Sequence, residues 1–215
     1  MIHRSQIQNQ ITFMGLKDVE VLADKQVGPT CGFEAIENII QLFHRVGNDL
    51  SQTDLLPRAR TVGAAVRCPT GEALDIHAYN WLLGQYGIPA TWYAFNHNNV
   101  LLPAVSLNRG VILIVHAPYL DPLTYPDPSN VSHAIVLTHY YVNEFTGLIE
   151  GYVGMDSNVE HKVVAWPHEF VEQAVLWVLQ HITPEPVLVT DIPVTWPSPT
   201  SYYIHNAANQ VVPVD

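Results

Sequence analysis

From about Thr30 to Val46 the apolar residues Phe33, Ile36, Ile39, Ile40 and Phe43 fall at steps of three and four, the period of an α-helix with one buried face. The following stretch predicts short helices broken at Pro57 and Pro69, one of them over about Glu72 to Tyr86 and stopped by Gly87. Beyond it the period changes. "GVILIVHAP" (Gly110 to Pro118), "VSHAIVLTHYYV" (Val131 to Val142) and "GLIEGYVGMD" (Gly147 to Asp156) are rich in β-branched and aromatic residues and bounded by turn formers, so strands are expected. The short "NEFTG" between the last two suits a hairpin. A helix is expected over Pro167 to His181, with Pro167 in its first turn.

Two flanks stand apart from this pattern. Residues 1–23 read as a polar N-terminal arm, and residues 183–215, with Pro184, Pro186, Pro193, Pro197 and Pro199, as an extended C-terminal segment lying on the body. Helices first and sheet second gives the α+β class, and 215 residues suit one domain spanning 1–215.

Composition narrows the function. With 48% hydrophobic and 13% charged residues the chain reads as globular. A net charge of −11 with nine Lys and Arg offers no footprint for nucleic acid or an anionic membrane. A peptide, protein or small molecule is the expected partner. The N-terminus lacks the apolar core of a secretory signal, and no stretch approaches the length of a membrane span. A chain that is cytoplasmic when made is expected, with export as an effector or toxin left open.

Candidate chemistry centres on one of two cysteines. In "DKQVGPTCGFEAI", Thr30 is a suitable N-cap and puts Cys31 at the first helical position, where unpaired N–H groups and the helix dipole favour a thiolate. A thiolate nucleophile needs a base, a group that orients the base, and an oxyanion donor. His133, near the start of a strand, is the candidate base, with His139 and His116 as alternatives. Asp156 ends the partner strand of the hairpin. With a turn near Phe145 it falls roughly opposite His133 and can orient it; Asn158 and Asp191 are alternatives. Gln26, five residues before Cys31, can supply a side-chain amide to the oxyanion, and Gly32 can let a substrate backbone approach. Cys68 reads as packing or a spare thiol.

Eleven histidines invite a metal. Yet "HEF" at His168 lacks the second histidine of a zinc-helix motif, and there is no cysteine pair, so no metal site is expected. No glycine-rich phosphate loop is present, and no cofactor is expected.

The ordered set "QVGPTCGFEAI", "RGVILIVHAP", "SHAIVLTHYYVNEFTGLIEGYVGMDSN" and "WPHEFVEQA" resembles the papain-like cysteine peptidases, most closely their bacterial C39-like branch, over about Asp24 to Ala174. The resemblance implies a papain-like fold, with the cysteine-bearing helix packed against an antiparallel sheet and amide hydrolysis through a thioester. It implies Cys31 as nucleophile, His133 as base and then acid, Asp156 as the residue orienting His133, and Gln26 as oxyanion donor. The family commonly places its glutamine six residues before the cysteine, one more than here. The same fold also supports glutamine deamidation, transamidation or acyl transfer, and a catalytically silent binding module.

Overall fold

The computed structural model describes residues 11–15, 29–44, 52–68, 71–122, 125, 132–143, 146, 148–158, 164–193, 202–205 and 211–214. In chain order these form β1 (Ile11–Gly15), α1 (Cys31–His44), α2 (Gln52–Thr61), β2 (Ala65–Cys68), β3 (Gly71–Leu74), α3 (Tyr79–Gln85), β4 (Ala90–Tyr93), α4 (Leu102–Ser106) and β5 (Arg109–Val115). Then come α5 (Ala117–Leu120), β6 (His133–Asn143), β7 (Ile149–Met155), β8 (Val164–Pro167), α6 (His168–His181), β9 (Val187–Pro193), β10 (Tyr202–His205) and β11 (Val211–Val214).

A seven-stranded antiparallel sheet organises the chain. Its order is β4-β9-β5-β6-β7-β8, with β1 paired to the far part of β6. The continuous apolar run of β5 reflects burial on both sides of this sheet, since successive side chains point to opposite faces. Ile112 and Ile114 face α1, where Phe33, Ile36, Ile39 and Ile40 are buried. Val111, Leu113 and Val115 face α6 through Val171, Ala174 and Val175. The sheet therefore carries a core on each face, and α1 brings Cys31 to one of them. Among the described residues no helix is long and apolar enough to cross a membrane.

The α+β class and the helix and strands of the strongest patterns are present. Four local expectations change. The helix expected from Glu72 is a strand at first: β3 pairs with β2, Arg60 of α2 forms an ion pair with Glu72, and helical structure begins only after Asp75 accepts the His77 N–H. The chain is helical through Pro57 because Leu55 and Ala59 anchor α2 to the core while Pro57 faces water. The N-terminal arm contributes β1. The segment after Thr183 does not simply lie over the body, since β9 sits between β4 and β5 inside the sheet. Pro186 and Pro193 bracket β9, leaving the N–H groups of Val187 to Ile192 free to pair.

Candidate functional site

The helix that carries Cys31 begins where the sequence predicts. The Glu34 N–H donates to the Thr30 carbonyl at 3.0 Å, so Thr30 is the cap and Cys31 the first helical residue. Cys31 is a free, half-buried thiol. It opens onto a cleft of about 280 Å³ whose wall includes Val66, Asp75, Ile76, Tyr79, Ile114 and Ile182.

His133, the first residue of β6, borders the same cleft and is almost fully buried. Its Nε2–H donates to Asp156 Oδ1 at 2.8 Å. That leaves Nδ1 as the ring nitrogen not engaged by Asp156, on a residue that shares the cleft with Cys31. Asp156, buried just past the end of β7, also accepts the Asn158 backbone N–H at 2.9 Å. Because Met155 faces Val136 across the hairpin, Asp156 meets His133 diagonally rather than directly opposite.

A fourth residue completes the cluster and was not anticipated from the sequence. Tyr125, in the loop before β6, is buried, and its hydroxyl donates to Asp156 at 2.9 Å (Oδ1) and 3.0 Å (Oδ2). The same oxygen lies 3.1 Å from His133 Nε2. Tyr125 thus covers the His133–Asp156 contact and holds the carboxylate from a second direction. The available signal was a lone aromatic residue in the polar, proline-rich stretch "DPLTYPDPSN".

The electrostatics of the three groups are mutually dependent. Burial on its own raises the Cys31 thiol, but the charge and hydrogen bond of His133, with a hydrogen bond from the Ala134 backbone, hold it below its ordinary value. For His133 burial favours the neutral ring. Asp156 and Cys31 outweigh it and push the imidazole up to about 10. Burial also works against the Asp156 carboxylate, which is held below its ordinary range chiefly by His133, then by Asn158 and Tyr125. The arrangement favours a thiolate–imidazolium pair backed by a buried carboxylate.

The alternatives lie elsewhere. His139 sits within β6, its Nδ1 2.8 Å from the Thr138 hydroxyl, and His116 packs against Trp177 with ring centroids 4.2 Å apart. Asp191 accepts a hydrogen bond from Thr91 at 3.0 Å. Asn158 touches the cluster through the N–H that it gives Asp156. Cys68, on β2, is not on the cleft wall. Gln26 lies outside the described residues. Gly32 departs from its expected role: a Cβ there would lie 2.1 Å from the Tyr79 hydroxyl, so the missing side chain makes room for Tyr79 rather than for a substrate.

Comparison with solved structures addresses the fold. The chain shares the fold of a peptidase-like protein. One matching solved structure is the crystal structure of a Bacillus anthracis protein described as a candidate C39-like peptidase, with a TM-score of 0.55 and 14% sequence identity, covering 85% of this chain and 99% of that one. No protein-family model and no curated protein matches the sequence. The likeness extends to a mixed helix-and-sheet architecture with an antiparallel sheet, as the topology above describes.

Proposed function

We propose that this protein is a papain-like cysteine peptidase of the C39-like kind, hydrolysing an amide bond in a peptide or protein. The observation that carries the reading is the set gathered at one cleft: Cys31 and His133 both line it, the charge of His133 holds the thiol below its ordinary value, and His133 Nε2 lies 2.8 Å from Asp156 Oδ1. In this reading the Cys31 thiolate attacks the substrate carbonyl, and the His133 imidazolium gives its proton to the departing amine. The neutral ring then takes a proton from water, which attacks the thioester and releases the acid and the free thiol. Asp156 fixes the ring orientation and supports its charge through both steps. In this reading the Cys31 backbone N–H at the helix start donates to the oxyanion, with Gln26 as the proposed second donor.

The cleft suits a peptide. Val66, Ile76, Ile114 and Ile182 give it an apolar wall, and Asp75 adds a carboxylate. Incubating the purified chain with a protease-accessible protein mixture and weighing the products tests the reading. New chain termini that disappear in the Cys31→Ala protein are expected. Intact chains carrying glutamate in place of glutamine, or new amide cross-links, would replace hydrolysis of the backbone with deamidation or acyl transfer at the same thiol.

A further inference from the structure

On the side of the sheet away from α1, three side chains from two separate parts of the sequence converge. His97 opens the turn of π-helix His97–Leu101 that follows β4, His168 is the first residue of α6, and Glu172 stands four residues on, along the same helical face. One nitrogen of each histidine and a carboxylate oxygen all lie within 4.8 Å of one another. The imidazole centroids are 4.0 Å apart.

The hydrogen bonding shows which atoms are committed. His97 Nδ1 is bound to the Tyr152 hydroxyl at 2.5 Å. His97 Nε2 and His168 Nδ1 are both shielded from solvent, and neither has a hydrogen-bond partner among the described residues. A buried polar atom left unpaired is destabilising. Two such atoms on rings clustered with one carboxylate suit a cation, which accepts a lone pair from each donor.

We propose that His97 Nε2, His168 Nδ1 and the Glu172 carboxylate bind a divalent transition-metal ion of zinc type, with water in the fourth position. Two imidazoles and a carboxylate are a zinc donor set, whereas calcium and magnesium require mostly oxygen. Bonds of about 2.1 Å in a tetrahedral site put ligand atoms about 3.4 Å apart, so closure asks for small side-chain rotations. Tyr152 plays the part that outer hydrogen-bond partners play at such sites, fixing the His97 ring so that Nε2 presents its lone pair. The positive end of the α6 dipole disfavours a cation at this place, and the Glu172 charge offsets it. The ion links the segment after β4 to the start of α6, and Tyr152 ties the His97 ligand to the middle of β7. It serves as a clasp on the face opposite the thiol and takes no part in amide cleavage.

The test uses the full-length, tag-free Cys31→Ala protein, so that the reactive thiol does not compete for metal. Zinc is titrated in competition with a chromophoric chelator, and the thermal midpoint is read with and without saturating zinc. One equivalent per chain and a rise in midpoint are expected. Tyr152→Phe lowers the affinity about 10- to 100-fold, while His97→Ala and Glu172→Gln lower it further and abolish the rise. Glu172→Gln preserves the size and helical character of a partly exposed residue, and unchanged far-ultraviolet circular dichroism shows that it folds. Cobalt provides a second reading, since a tetrahedral site with nitrogen donors gives visible absorption that His97→Ala removes. Failure of the Cys31→Ala protein to bind zinc, or binding unaltered by both His97→Ala and Glu172→Gln, overturns the proposal.

Discussion

On the proposed function, Cys31→Ala is expected to lower amide-bond turnover by at least about 10⁴-fold, the scale set by removal of a nucleophile in covalent hydrolases. The thermal midpoint moves by no more than about 4 °C, equivalent to about 1 kcal/mol in a chain of this size. The two effects separate because of where the thiol sits. Cys31 is half-buried at the mouth of a cleft, so deleting its sulfur leaves no sealed cavity in the Phe33, Ile36, Ile39 and Ile40 core beneath. Cys31→Ser preserves the size and the hydrogen bond but offers a hydroxyl that His133 cannot hold ionised, and it is equally inactive. Wild-type turnover in Cys31→Ala on an identified substrate would overturn the whole site assignment.

Asp156→Ala comes next in size and acts on stability as well as rate. The carboxylate it removes is buried and bound by His133, Tyr125 and Asn158. Breaking a buried ion pair from one side costs about 3–5 kcal/mol. Asp156→Asn keeps the shape and an oxygen that can receive the His133 Nε2–H, so it folds, loses about 10²-fold or more in rate, and remains more active than Asp156→Ala. His133→Ala loses more than Asp156→Asn, since it deletes the base itself.

The same pair has a pH signature with the thiol in place, where Asp156 and Cys31 together raise His133. A histidine whose folded pKa is raised contributes stability that is complete below its unfolded value of about 6.5 and is lost as the pH climbs through the folded value. A carboxylate whose folded pKa is depressed contributes above about 3.9 and loses that stability as the pH falls through its folded value. The contribution of the His133–Asp156 pair is therefore greatest between about pH 4 and 6.5 and declines on both sides. Denaturant titrations across pH check this, and Asp156→Asn is expected to flatten both flanks.

Legibility in the sequence followed the strength of each period. The stripe from Phe33 to Phe43 and the run of β5 each admit one reading, because the first repeats at helical spacing and the second is buried on both faces of the sheet. The register of the hairpin came out close for a less direct reason. Two irregularities, between Leu137 and His139 and between Tyr141 and Val142, displace the pairing in opposite senses and cancel before Asp156 is reached. Only the diagonal offset between His133 and Asp156 was hidden.

Other features depend on contacts that no local pattern records. β2 and β3 are four residues each and half-exposed, too short for alternation to outweigh the helical character of the residues after Glu72. β9 is masked by its bracketing prolines. Tyr125 and Tyr79 acquire their importance from what they touch, Asp156 in one case and the space beside Gly32 in the other. The His97, His168 and Glu172 cluster is similarly invisible in sequence, because its first member lies on a different segment from the helix that holds the other two.

The central claim is that Cys31 is activated in the free protein by His133, and its alkylation rate as a function of pH tests that most directly. Iodoacetamide is applied in short pulses from pH 4 to 10, and modification at Cys31 is counted separately from Cys68 by peptide mapping. The account predicts appreciable reaction of Cys31 already at pH 5 to 6, with its step well below the ordinary thiol value of about 8.5, and loss of this early reactivity in His133→Ala. A single step near 8.5 for Cys31, unchanged by His133→Ala, would contradict it.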